Sequence, residues 1–549
     1  MSRPVEIPVA TFPEMPSGIT AAQREAVMSN SPVLCVLAGA GTGKTGVLTL
    51  RVARRSMDGT AAAERSLVCT FSRKAADELR SRLFRLGVSG VKSGTIHRLA
   101  LGILRDWRQH ISRGVPIVLD DRRRLIESLL PDQPTARTAM HVEGEIGWAK
   151  ARMVAPAEYE EAARCARRVV RVPTALTAEL YAAYEAEKAR RGVSDLDDLL
   201  LESASAMLGD DRFAEAVRWR YRHLYVDEMQ DVNAAQFRLL RTLMSTQPDL
   251  FVVGDPDQSV YGWNGSDPDL LARLPEIFPE TEVISLDDNH RCTPSIVRVA
   301  TAALGRPSTS PSSTRPEGPL PVISSHDTDR DEARWIARQA WLAHRPGRRW
   351  GHLAVLARTN AQLKLIAEVL GEQRIPFTFA GGDLTPASDL DAPPEDELAH
   401  PADAARSAAP GEPPDGVVLS TFHRAKGLQW PCVFVVGISE GLVPIYSARS
   451  ITAIEEERRL LYVAMTRAED QLWCSWARTN DNGSRSARKP SRWIGAIEET
   501  TKTVEHEQAP AKPESVASHI ARLRAMVSRT TSEAGPPSGP QVRSTMTGA

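Results

Sequence analysis

No one sign of charge dominates this chain of 549 residues: 68 lysines and arginines stand against 69 aspartates and glutamates. A protein coated for nucleic acid would be strongly basic, so any contact with a polyanion is expected to be confined to a local channel. Cysteines are few. The six (Cys35, Cys69, Cys165, Cys292, Cys432, Cys474) show no C-x-x-C spacing, which argues against a zinc site or a disulfide framework and for a reducing compartment. No apolar run approaches the ~18 residues of a membrane helix, and the opening "MSRPVEIPVATFPEMP" has no apolar core of signal-peptide length. These absences predict a soluble, cytoplasmic chain without a membrane partner. Aromatic residues make up only 5%, so their clustering within a motif carries weight. At about 150 residues per domain, the length predicts roughly three to four domains.

What the chain does have is alternation. Short apolar, β-branched runs recur at 33–37, 66–71, 223–228 and 249–255, and a second set lies at 283–285, 353–358, 416–422 and 432–437. Each is followed by a turn and a helical pattern, which implies parallel sheets in two α/β domains. Between about 106 and 190 the pattern is helical and rich in Arg, Ala and Glu ("TAELYAAYEAEKARR"), the mark of an inserted helical subdomain. Asp383 to Gly416 holds seven prolines and nine acidic residues against one arginine, a composition that cannot bury enough apolar surface to order itself. The tail after about 500 reads as linker, apart from a possible amphipathic helix at 516–529.

Two motifs carry chemistry. "AGAGTGKTG" directly follows the first apolar run, as Ala38, Gly39, Ala40, Gly41, Thr42, Gly43, Lys44, Thr45 and Gly46. Its glycines let backbone N–H groups close around phosphates, Lys44 reaches the β- and γ-phosphates, and the Thr45 hydroxyl suits Mg²⁺. "LYVDEMQD" supplies the other half: a strand ending in adjacent carboxylates, Asp227 beside the metal and Glu228 placed to orient or deprotonate water. A chance glycine-rich turn and a solvated acidic turn are the bland readings, and their co-occurrence disfavours both.

Further segments extend the pattern in a fixed order. They are "GITAAQREAV", "CTFSRKAADELRSRL", "GTIHRLALGILR", "SDLDDLL", "VGDPDQSVYGWNGSD", "DDNHRCTPSIV", "LSTFHRAKGLQW" and "EEERRLLYVAMTRAEDQL". From residue 18 to about 495 the chain resembles the UvrD/Rep-type superfamily I DNA helicases. The resemblance implies two tandem RecA-like P-loop domains with ATP bound between them, Mg²⁺ as cofactor, and single-stranded or tailed DNA as partner, tracked 3′ to 5′ in repair or replication. It assigns Gln23 to the adenine and Gln258 to sensing the γ-phosphate, with Arg291 and Arg467 as arginine fingers. Phe71, His97, Tyr261 and Trp263 fall at or beside DNA contacts, where aromatic faces stack on any base; core packing is the alternative for Phe71 and Tyr261.

The resemblance also exposes departures. The acidic stretch 383–416 occupies the place of a complete inserted domain, which puts unwinding in doubt. The hairpin after residue 472 has an all-polar tip at Asn480–Gly483. At the nucleoside end, relatives carry Arg, Tyr and Glu where this chain has Gly46, His290 and Gln429, and Asn264 replaces another Arg. The expected domains are 1–105 with 191–281, the insertion 106–190, and 282–382 with 417–500. The expected activity is that of an ATP-dependent DNA helicase or translocase, with an unidentified protein partner as a further expectation. A translocase that unwinds little and a degenerate DNA-binding scaffold are the rivals.

Overall fold

The computed structural model describes residues 15–119, 121–130, 136–244, 247–305, 312–344, 347–380, 415–480 and 487–508. Most of the acidic stretch, the hairpin tip beyond Asn480 and the 516–529 segment lie outside the described residues. The chain divides into a body, 1–501, and a C-terminal stretch, 502–549. Of the second, 502–508 is described, as the end of the Ile494–Gln508 helix.

The body is mixed α/β, with two six-stranded sheets whose ladders are all parallel. The first holds β1 (Val33–Ala38), β2 (Ser66–Thr70), β3 (Lys92–Thr95), β4 (His223–Val226), β5 (Leu250–Gly254) and β6 (Glu282–Leu286) in the order β3-β2-β4-β5-β1-β6. Its inner strands read as continuous apolar runs because helices cover both faces. The period-2 alternation divides them: Val33, Cys35, Leu67, Cys69, Leu224 and Val226 enter one core, and Leu34, Val36, Val68 and Tyr225 the other.

The second sheet holds β7 (Val322–Thr328), β8 (Leu353–Ala357), β9 (Phe377–Phe379), β10 (Val417–Thr421), β11 (Trp430–Val435) and β12 (Ala468–Thr479). Their order is β7-β12-β11-β8-β10-β9. The same alternation sends Leu353 and Val355 to one side and Ala354 and Leu356 to the other.

Two expectations need correction. The run at 283–285, placed in the second set, is β6 of the first sheet, where Cys35 lies opposite Val283 and Val36 opposite Ile284. A three-residue apolar run does not encode which sheet receives it; the register against β1 decides. The boundary at 105/106 falls inside the helix Ile96–His110, whose buried face (Ile96, Leu99, Ala100, Ile103, Leu104) belongs to the first core. Beyond it, helices Arg122–Leu129, Ala136–Ala151, Tyr159–Cys165 and Thr174–Arg191 close on a core of their own around Ile146, Trp148, Tyr159 and Tyr184. Asp415 is part of the ordered entry to β10: its carboxylate accepts from the N–H groups of Trp350 (3.2 Å) and Gly351 (2.9 Å).

Candidate nucleotide cleft

The strand β1 ends at buried Ala38, and the loop from Gly39 leads into the helix Lys44–Met57. Gly41 (φ +73°) and Gly43 (φ +83°) take the left-handed conformation that glycine adopts without strain. At Gly41 a Cβ would also stand 2.7 Å from the Cβ of Arg291. Thr42 Oγ1 donates to Gly39 O at 2.9 Å and braces the loop. No side chain caps the helix at Gly43, and the uncapped N–H groups of a helix N-terminus are a ready site for phosphate.

Lys44 Nζ is buried and makes no hydrogen bond. Its nearest carboxylate is Asp255, at 4.0 Å. Thr45 Oγ1 donates to Asp227 Oδ2 at 3.3 Å. Glu228 has φ +53°, an uncommon value for a residue with a side chain that marks local strain beside the loop. Its carboxylate accepts from Gln230 Nε2.

Burial works to raise both acids. For Glu228 the ammonium groups of Lys44 and Lys426 outweigh it and hold the carboxyl below the usual carboxylate range. For Asp227, burial followed by repulsion from Glu228 pushes the pKa up to about 7. The oxygens of Thr45 and Asp227 form a hard donor set that suits Mg²⁺, and a cation there would relieve this crowding of negative charge.

The other wall comes from the second sheet's side of the molecule. Asn289 is buried, donates from Nδ2 to Ala40 O at 2.7 Å, and accepts at Oδ1 from the N–H groups of Arg291 (2.9 Å) and Cys292 (2.8 Å). His290 N–H donates to Gly41 O at 2.9 Å. Arg291 is thereby set against the loop, with its Nε buried and lacking a hydrogen-bond partner.

Arg467, 1% exposed, donates to Val463 O (2.9 Å), Leu428 O (3.3 Å), Thr466 Oγ1 (3.2 Å) and Gln258 Oε1 (3.4 Å). Neither arginine has a carboxylate partner among the described residues. Burial, then repulsion from Arg291, lowers the Arg467 pKa to about 9. Two adjacent cations held from water, with no carboxylate bonded to either among the described residues, are costly unless an anion completes the site.

Gln258 is buried between the walls, its Nε2 donating to Asp255 Oδ2 at 2.6 Å. The segment it begins is gripped by three side chains that the sequence did not single out. Lys426 Nζ bonds Gln258 O (2.6 Å) and pairs with Asp231 Oδ2 (2.5 Å). Arg459 Nε donates to Ser259 O at 2.7 Å, and Glu456 Oε1 accepts from Gly262 N–H at 2.9 Å. All three lie inside quoted motifs, yet nothing in a single sequence marks them above their neighbours.

The nucleoside end is sparser. Gln23 sits on the helix Ala21–Met28, which buried Arg51 anchors through Ala26 O (2.9 Å) and Ser29 O (2.8 Å). Gln23 Nε2 donates to Thr42 O at 2.9 Å and lies 3.3 Å from His290 Nε2, while its Oε1 accepts from Thr20 N–H at 3.0 Å. A Cβ at Gly46 would meet nothing within 4 Å. Gln429 is exposed.

Of the residues matched to DNA contacts, Phe71 and Tyr261 stack on each other, centroids 4.7 Å apart. Trp263 meets the Tyr261 ring edge-on at 6.2 Å, and Lys426 Nζ lies 5.1 Å from the Tyr261 centroid. Tyr261 is only 8% exposed, so its packing alternative describes this conformation; Phe71 and Trp263 are half-buried. His97 stands apart from this cluster. Burial lowers its pKa, in the company of Asp197, Arg122 and Asp195 at the base of the insertion.

Residues 19–279 match the UvrD/REP helicase N-terminal domain, and 284–383 with 404–479 match the UvrD-like helicase C-terminal domain. The ATP-dependent DNA helicase UvrD2 of Mycobacterium tuberculosis (strain H37Rv) is 34% identical over 582 residues, covering 88% of this chain and 82% of that protein. The ATP-dependent DNA helicase PcrA of Staphylococcus epidermidis (strain RP62A) is 30% identical over 378 residues, covering 66% of this chain and 50% of that protein. The chain belongs to the UvrD/Rep family of helicases.

Proposed function

We propose that this protein is an ATP-dependent DNA helicase that hydrolyses ATP between its two sheets and converts the cycle into 3′-to-5′ movement along single-stranded DNA, in repair or replication. The observation that carries the reading is the set of buried cationic groups left short of hydrogen-bond acceptors at the phosphate end of the cleft. Lys44 Nζ and Arg291 Nε are buried without hydrogen-bond partners, and buried Arg467 is hydrogen-bonded to no carboxylate among the described residues, all close to Glu228, whose carboxyl is held low by Lys44 and Lys426. A triphosphate supplies the missing negative charge.

In this mechanism Lys44 neutralises the β- and γ-phosphates, and Glu228 orients and deprotonates the attacking water. Arg291 and Arg467 stabilise charge on the phosphoryl group as it transfers. Thr45 and Asp227 would hold a Mg²⁺, which when bound would neutralise charge on the phosphate oxygens. Coupling to DNA follows from sequence proximity. Gln258 touches Arg467, and Tyr261 and Trp263 follow within five residues, so closure at the γ-phosphate repositions the aromatic cluster. Phe71 and Trp263 are the proposed stacking faces for DNA.

ATPase of the purified chain with and without single-stranded DNA tests the reading. Stimulation by DNA is expected, and its absence would favour the scaffold reading. Polarity is tested by streptavidin displacement, expected to be faster from a 5′-biotinylated than from a 3′-biotinylated strand. A second reading, a translocase that unwinds little alone, is favoured by the 34-residue stretch Asp383–Gly416 standing in place of an inserted domain. It predicts rapid streptavidin displacement beside weak strand separation on a 3′-tailed duplex.

A further inference from the structure

We infer that Glu456 and Arg459 are positioning residues: they clasp the main chain of 259–263 to the helix that carries Arg467, so that movement of this arginine onto the γ-phosphate is delivered to the DNA-stacking faces. This role rests on the function proposed above and adds a through-space route to the path along the chain from Gln258 to Trp263.

The helix Ile451–Met465 leads directly into Thr466 and Arg467. Arg467 is fixed to its last turn, since Nε donates to Val463 O at 2.9 Å. Residues three or four apart share a helix face, and immediate neighbours do not. The four side chains from Glu456 to Arg459 divide accordingly. Glu457 and Arg458 tie the helix to its own half. The Glu457 carboxylate accepts from buried Arg358, just beyond β8, at 2.8 Å from Nη2 and 3.0 Å from Nε, and Arg458 Nε donates to Ala303 O at 2.9 Å.

Glu456 and Arg459, one turn apart, hold the segment that follows β5. Arg459 Nε donates to Ser259 O at 2.7 Å, and Glu456 Oε1 accepts from Gly262 N–H at 2.9 Å. Between these two bonds, Val260 and Tyr261 are buried in a core of the second sheet, although in sequence they lie between β5 and β6 of the first. Burial, helped by Glu457, pushes the Glu456 carboxyl up to about 7, against Arg459 and the N–H groups of Trp263 and Gly262.

The fit is close at Gly262, where a Cβ would stand 2.5 Å from Glu456 Oε2. The atom in the way is the end of a flexible side chain, so a larger residue there displaces the carboxylate and spares the fold. Glu456 lies some 16 Å along the helix from Arg467, at 1.5 Å per residue. A packed helix carries displacement over that distance as one element. The segment itself is built on two short 3₁₀ turns, Pro256–Gln258 and Gly262–Asn264, and would transmit it less faithfully.

The test compares movement with hydrolysis on one substrate. Arrival of the full chain at the fluorophore-labelled end of oligo(dT) strands of several lengths gives its speed, and phosphate release is followed in the same mixture. Their ratio is the number of nucleotides travelled per ATP. Glu456→Ala should lower this ratio about fivefold or more, and Arg459→Met should act in the same direction. A merely structural role would reduce the active fraction and leave the ratio unchanged. Glu456→Gln, whose Oε1 still accepts from Gly262 N–H, should restore most of it. Gly262→Ala should resemble Glu456→Ala, and the double variant should fall no further than either single one, since both open the same clasp. The natural ratio in Glu456→Ala, or a Gln variant no better than the Ala variant, would overturn the inference. If the natural chain shows neither DNA-stimulated hydrolysis nor movement, the proposed function itself fails, and this role with it.

Discussion

The two ends of the cleft are built on different principles. At the phosphate end, Lys44, Glu228, Gln258, Arg291 and Arg467 converge from both halves of the molecule, buried or half-buried, with neither arginine bonded to a carboxylate among the described residues. At the nucleoside end, Gly46 has no side chain, Gln429 is exposed, and Gln23 and His290 bond to each other. Charge on the transferring phosphoryl group develops in the transition state, so groups aimed at it accelerate hydrolysis. Contacts to the base are equally strong before and during the reaction and only tighten binding. The first end therefore tolerates no loss, and the second can thin out while turnover is kept.

The sharpest way to break this comparison is at the phosphate end. Lys44→Ala and Glu228→Gln should each lower DNA-stimulated ATPase by at least ~100-fold, since phosphate neutralisation and water positioning account for most of the barrier reduction. Turnover within a few-fold of the natural chain in either variant would show that the charge gathered there serves packing instead.

A second test probes how the two walls are tied. Lys426 joins Asp231 to the carbonyl of Gln258, and Asp231 is 4% exposed with its pKa raised to about 6, burial outweighing the ammonium. Lys426→Met leaves that carboxyl buried and unpaired whenever the cleft closes, a strongly unfavourable state. DNA-stimulated ATPase should fall roughly tenfold, and Lys426→Met with Asp231→Asn should recover part of it. A double variant no better than the single one would mean that Lys426 acts elsewhere, for instance against the Tyr261 ring.

How much of this could be read from the chain itself follows the same division. The loop Gly39–Thr45 and the pair Asp227–Glu228 are local: each is one strand and its following turn, and period-2 apolar runs mark where they sit. Arg291 and Arg467 were reachable only through resemblance to a family, because their placement depends on how two sheets dock. Asn289 on Ala40 and Lys426 on Asp231 were not legible at all, being contacts between residues 195 or more apart. Nor was the burial of Tyr261 under Phe71, which a single sequence cannot tell from an exposed stacking face. The strand at 282–286 shows the same limit in the fold, since its partner β1 lies some 250 residues earlier.

The smallest expected effect, and the finest test of the comparison, is at Gly46. A glycine in the first turn of a helix costs up to ~1 kcal/mol of helix propensity relative to alanine, and packing would be the ordinary reason to tolerate it. Here a Cβ would meet nothing within 4 Å, so packing does not require the glycine. Gly46→Ala should raise thermal stability slightly and leave nucleotide binding unchanged, separating the backbone effect from that of a side chain. Gly46→Arg adds a guanidinium plane at the nucleoside end, and should lower the KM for ATP several-fold with kcat within about twofold, as expected for uniform binding. His290→Tyr added to it should lower KM further, by supplying a second face and releasing Gln23. Steady-state kinetics on the folded variants decides the matter: if Gly46→Arg instead changes kcat with KM constant, the nucleoside end takes part in the transition state, and the division between the two ends does not hold.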